Sequence, residues 1–220
     1  MMVLAAWAQQ GFNSFLIPDY VLPTIMAFLV MLNPFALFLY LEPVRKDLNH
    51  VSFVTVLLKA TIISFVTCLV FFFSGNSLFE TVFQINFESF RIFGGIIIFS
   101  FAYYYIVKGR KSLIYMKEDI DDLASEIALP FMVGAGTISL SIVLSTKTSY
   151  LPGILLLIII FGLNFIIILF LKYIRDRIKK RKYRIAFDKN MAILLRLSGF
   201  FVGAIGIDMV LTGVNNLSLM

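Results

Sequence analysis

Six runs of about 20 mostly apolar residues limit what this chain can fold into. They lie near 20–41, 51–73, 90–108, 126–145, 150–172 and 191–213. Each is long enough to cross the hydrocarbon core of a bilayer as a helix. In lipid the backbone polar groups find no water, so a crossing segment must satisfy them within itself. A soluble domain of 220 residues could not cover a composition that is 60% hydrophobic and only 15% charged. The expectation is an all-α polytopic membrane protein with six transmembrane helices.

Two of the runs carry residues that interrupt a helix. Residues 129–139 read L-P-F-M-V-G-A-G-T-I-S, with Pro130, Gly134, Gly136, Thr137 and Ser139 close together. Proline removes a backbone donor, and glycine is about 1 kcal/mol worse than alanine in a helix interior. Residues 31–39 read M-L-N-P-F-A-L-F-L, with Asn33 and Pro34. Broken helices are expected in spans 1 and 4. Paired interruptions in corresponding places of two halves point to a transport site. The plain alternative is a pair of kinks that serve helix packing.

The net charge of +6 does not mark a nucleic-acid binder, because the basic residues sit in short loops between apolar runs. Two lie in the loop after span 1 (Arg45, Lys46), and four lie after span 3 (Lys108, Arg110, Lys111, Lys117). Nine, from Lys172 to Lys189, lie around a basic loop at 173–190 between spans 5 and 6. Positive-inside bias puts these three loops in the cytoplasm and both termini outside. Residues 1–19, with Trp7 but no Lys or Arg, are expected to form an interfacial segment. The single cysteine, Cys68, excludes a disulfide framework, and His50 is the only histidine. No P-loop, nucleophile elbow or zinc motif is present, so neither an enzyme nor a cofactor or metal site is expected.

The two halves resemble each other. R-I-F-G-G from Arg91 and R-L-S-G-F from Arg196 share an Arg, an aliphatic residue and a Gly in step, and Pro34-Phe35 matches Pro130-Phe131. Each half then holds three spans, 20–108 and 126–213, joined by a cytoplasmic linker at 109–125. Three is odd, so the second half enters from the opposite side as an inverted repeat.

These residues resemble the MarC family of six-span integral membrane proteins over essentially the whole chain. The family's second-half pattern, close to L-P-x-x-A-G-P-G-A-I-S, is matched by Leu129, Pro130, Gly134, Gly136, Ile138 and Ser139. Val133, Ala135 and Thr137 depart from it. The first-half pattern N-P-x-G-x-x-P is matched by Asn33 and Pro34, with Ala36 and Leu39 departing. Asp208 stands where relatives often carry a polar or acidic residue. The resemblance implies a membrane transporter, with small neutral amino acids as the solute class described for some relatives.

On chemistry, a half-helix that starts near Gly136 would offer unpaired N–H groups and a positive dipole end to a carboxylate. The expected solute-binding set is Asn33, Pro34, Gly134, Gly136, Thr137 and Ser139. Asp208 is the candidate for coupling to a proton or Na⁺ gradient. Lys59 reads as a snorkelling side chain, Arg91 and Arg196 as anchors or packing residues, and Tyr103, Tyr104 and Tyr105 as interfacial or packing residues. Asn164 is open between an interhelical hydrogen bond and the pathway. The expectation is a plasma-membrane secondary transporter of a small polar solute, in contact with lipid and able to form oligomers. The alternatives are an exporter of another small metabolite or ion, and a non-transporting membrane scaffold.

Overall fold

The computed structural model describes residues 18–75, 77–107 and 120–218. The expected interfacial segment, with Trp7, and the first part of the linker lie outside the described residues. The rest is helical, with no strand among the described residues. In chain order the helices are α1 (Val21–Leu32), α2 (Pro34–Tyr40), α3 (Glu42–Asp47), α4 (His50–Ser74) and α5 (Phe87–Val107). They continue with α6 (Ile120–Ile127), α7 (Ala135–Lys147), α8 (Tyr150–Arg177) and α9 (Arg181–Ser218). Single π-helical turns occupy Leu78–Val82 and Ala128–Met132.

Among the described residues, five stretches are long and apolar enough to cross a bilayer: Val21–Tyr40, His50–Ser74, Phe87–Val107, Tyr150–Arg177 and Arg181–Ser218. The sequence pointed to six. The missing one is the expected fourth span, and its absence has a local cause. Leu129, just before Pro130, adopts an extended conformation (φ −116°, ψ 118°), as residues preceding proline tend to. Val133 and Gly134 are extended too. What remains is α6 with 8 residues and α7 with 13. At 1.5 Å per residue, α7 alone reaches only about 20 Å, short of a bilayer core of about 30 Å.

The basic loop expected at 173–190 is also different. It is helical except at 178–180, because α8 runs on to Arg177 and α9 begins at Arg181. No Pro or Gly interrupts this stretch, and Arg175 on α8 clasps Asp188 on α9 through two hydrogen bonds of 3.0 and 3.2 Å. The 38-residue α9 thus projects well beyond its apolar part.

The main core gathers around α2. Ala36, Leu37, Phe38, Leu39 and Tyr40 are all 3% exposed or less, so α2 is apolar and covered on every side. Helices α8 and α9 pack against it, and α4 and α6 contribute to the same core. Along α4, the hydroxyls of Thr61, Ser64 and Thr67 donate to the carbonyls four residues back, which satisfies them without water. Gly75 ends α4 at φ +54°, a conformation that L side chains rarely adopt.

The Arg-x-x-Gly similarity corresponds to one helix pair. Helices α5 and α9 pack closely and run antiparallel. Gly213 lies against Ile92, Gly206 against Gly95, and Gly199 against Ala102 and Ile106. A Cβ on Gly95 would come within 2.5 Å of the Gly206 carbonyl, and one on Gly206 within 2.8 Å of the Gly95 carbonyl. Backbones approach this closely only when small residues line both helices.

Candidate functional site

The first interruption is built by Asn33, which closes α1 and opens α2 at once. Its backbone is left-handed (φ 43°, ψ 71°), a region that Asn tolerates better than most residues. Its N–H returns to the Leu29 carbonyl at 3.0 Å, and its Oδ1 accepts the Ala36 N–H at 3.2 Å. Its Nδ2 donates to Ser198 Oγ at 2.9 Å, which ties the break to α9. Pro34 then takes the first helical position, where its missing N–H costs nothing. The side chain of Asn33 is therefore engaged in holding the joint.

The second interruption leaves α7 with an open first turn. The Ile138 N–H bonds the Gly134 carbonyl at 3.0 Å, the first bond of the helix. The N–H groups of Ala135, Gly136 and Thr137 precede it and have no carbonyl of their own helix to reach. Thr137 serves the cap. Its hydroxyl accepts the Gly134 N–H at 3.1 Å and lies 3.1 Å from the Gly134 carbonyl and 3.3 Å from that of Met132. Ser139, one turn in and 4% exposed, has no hydrogen-bond partner for its hydroxyl.

The structure distributes the expected residues over three cavities. Gly134, Gly136 and Thr137 line one of about 100 Å³ with Met31, Ile98 and Tyr105. Gly136 and Ser139 line a second, of about 280 Å³, with Asp208, Arg91 and Thr212. Asn33 and Pro34 line a third, of about 430 Å³, which is almost wholly apolar apart from Asn33 and Ser198. Gly136 belongs to the first two, and a Cβ there would meet Met31 Sδ at 2.4 Å and Ile98 Cδ1 at 2.8 Å. The structure thus brings Gly136, Ser139 and Asp208 together, and it keeps Asn33 and Pro34 apart from them.

The cavity of about 280 Å³ has the richest chemistry. Arg91 enters it from near the start of α5, held by the Glu88 carboxylate at 3.0 and 3.2 Å. Glu88 also accepts Asn216 Nδ2 at 3.0 Å, so α5 and α9 share the clamp. Asp208 supplies the opposite charge from α9. Sequence reasoning missed Arg91 and Thr212 as lining residues and Glu88 as a support. The Arg91 to Glu88 spacing of three on one helix was the only signal. Arg196 is exposed, and Lys59 forms an ion pair with Asp121 that links α4 to α6. Asn164 is fully buried on α8, and its amide has no hydrogen-bond partner in the structure. Among the described residues, no group of three or more His, Cys, Asp or Glu side chains is placed to hold a metal ion.

An all-helical multi-pass chain, with two interrupted helices and polar groups gathered at one break, defines an integral membrane protein with a cavity of about 280 Å³ at that break. The model of the MarC family, described as integral membrane proteins, matches residues 19–218, and the chain belongs to that family. Among curated relatives, a UPF0056 membrane protein of Pyrococcus horikoshii is 22% identical over 200 residues, covering 90% of this chain and 95% of its own. One from Buchnera aphidicola of Schizaphis graminum is 28% identical, covering 85% of this chain and 88% of its own. The Escherichia coli UPF0056 membrane protein YhcE is 29% identical, covering 66% of this chain and 68% of its own. No solved structure matches the chain.

Proposed function

We propose that this chain is a secondary transporter of a small polar solute, with a small neutral amino acid as the class that fits best. The observation that carries this reading is the cavity lined by Arg91, Ser139 and Asp208 beside the start of α7. A zwitterion presents a carboxylate and an ammonium close together. The Arg91 guanidinium and the open first turn of α7 suit the carboxylate, and Asp208 suits the ammonium. The unpartnered Ser139 hydroxyl adds a hydrogen bond at a buried position. Asp208 is also the group through which a proton or Na⁺ gradient would couple.

The same reading takes α6 and α7 together as a sixth crossing, and the two halves as inverted three-span repeats. The antiparallel contact of α5 with α9, the third span of each half, supports it. So does the placement of Pro34-Phe35 and Pro130-Phe131 at the two breaks. On this reading the protein lies in the plasma membrane and the basic bias orients both termini outward, so a C-terminal reporter should be active only on the outer side. The functional test is uptake by purified protein in proteoliposomes, across a panel of labelled solutes with imposed proton or Na⁺ gradients. Saturable, gradient-driven uptake of one or more small zwitterions is expected. No movement of any solute under any gradient would overturn the proposal in favour of a scaffold role.

A further inference from the structure

We propose that Arg45 is a binding site for a phosphate group at the membrane boundary. It lies on α3, the short helix between Tyr40, where the first apolar stretch ends, and His50, where the second begins. Lipid phosphates and dissolved phosphate both reach that depth. The site is separate from the cavity of the transport proposal and does not rest on it.

The Arg45 side chain is buried, with 7% of the residue exposed. One face of its guanidinium lies 4.3 Å from the centre of the Phe38 ring, a favourable cation–π contact. That contact leaves the in-plane donors unused, and Nε, Nη1 and Nη2 have no hydrogen-bond partner in the structure. The neighbouring acids are engaged elsewhere. Asp188 gives both oxygens to Arg175, at 3.0 and 3.2 Å. Asp176 takes Lys172 at 2.7 Å, and Glu42 takes Lys46 at 2.9 Å. Arg45 and Arg175 therefore lie among Glu42, Asp176 and Asp188, and once Lys46 and Lys172 are counted with the acids they pair with, one positive charge is left over.

Burial, followed by the nearby Arg175 cation, pushes the Arg45 guanidinium down to about 10, which still leaves it charged at neutral pH. A buried guanidinium with no hydrogen-bonded counter-charge is costly, and the nearby carboxylates of Glu42, Asp176 and Asp188 are each paired with another cation. The planar fork of five donors matches a phosphate through two parallel hydrogen bonds. Arg175 raises the positive potential around it. Lys46 and Asp47 of α3 are exposed, and its buried face is Val44 and Arg45. A small displacement of this six-residue helix opens the guanidinium to a ligand.

The test compares thermal melting of delipidated protein in detergent for wild type, Arg45→Gln and Arg45→Lys. Each is measured with added inorganic phosphate, with phosphatidylcholine, with phosphatidylglycerol, and with chloride at matched ionic strength. Without additives, Arg45→Gln should melt at or above wild type, because it removes the uncompensated charge. Phosphate or phosphatidylglycerol should raise the melting of wild type, and chloride and phosphatidylcholine should not. Arg45→Gln should lose that response, and Arg45→Lys should need about tenfold more ligand for the same shift. A response to inorganic phosphate identifies a soluble phosphate site, and a response to phosphatidylglycerol alone identifies a lipid headgroup site. No response in wild type, or an equal response in wild type and Arg45→Gln, would overturn the assignment.

Discussion

Asp208→Asn is expected to abolish the gradient dependence of uptake while leaving folded protein at its normal level. Asp208 is exposed to its cavity on α9 and makes no hydrogen bond that holds the fold, so its loss removes charge and little packing. The amide keeps the shape but cannot carry a proton or balance an ammonium. Gradient-driven uptake should fall by about tenfold or more, the scale of one charge-assisted contact. Arg91 calls for a gentler change. Removing its charge would strand the buried Glu88 carboxylate, at a cost of about 3–5 kcal/mol, and would confuse folding with binding. Arg91→Lys keeps the pair with Glu88 and loses only the fork. Its effect should appear as weaker solute affinity with a near-normal melting temperature. Unchanged gradient dependence in Asp208→Asn would return that residue to a structural role.

Gly136→Val should damage both binding and stability, and the two effects can be separated. The added Cβ would press on Met31 Sδ and Ile98 Cδ1, and overpacking of this kind costs about 1–3 kcal/mol. The branched side chain would also narrow the two cavities that Gly136 separates. Solute affinity per folded molecule should fall by about tenfold or more, alongside a lower melting temperature. Both neighbours are the ends of flexible side chains, so Gly136→Ala should be milder. Met31→Ala added to Gly136→Val should restore much of the stability, because it clears the nearest atom. If affinity per folded molecule stays normal in Gly136→Val, this glycine serves packing alone.

The apolar runs were legible because lipid allows a crossing segment few conformations, and length then identifies it. The two interruptions were legible because Asn33, Pro34, Pro130 and Gly134 act on the backbone locally. What lay hidden depends on partners distant in sequence. Nothing near Asn33 announces that its amide bonds Ser198 and so ties the break to α9. The helical continuation through 181–190 was hidden by its charge, because a charged stretch between apolar runs reads as loop whether or not it is helical. Thr137 and Ser139 looked alike as hydroxyls two residues apart. Only the fold distinguishes the one that caps its own helix from the one without a partner. Arg91 was read as an anchor because the clamp from Glu88 and Asn216 spans two helices.

The central claim is that solute sits among Arg91, Ser139 and Asp208. Protection of a thiol introduced by Thr212→Cys tests it directly, in a Cys68→Ala background that removes the only native cysteine. The rate of alkylation by a small polar reagent is measured in proteoliposomes, with and without saturating transported solute. The account predicts that the solute slows alkylation at this position, and that Asp208→Asn weakens the protection. An alkylation rate indifferent to solute in protein that still transports it would contradict the account and place the pathway elsewhere.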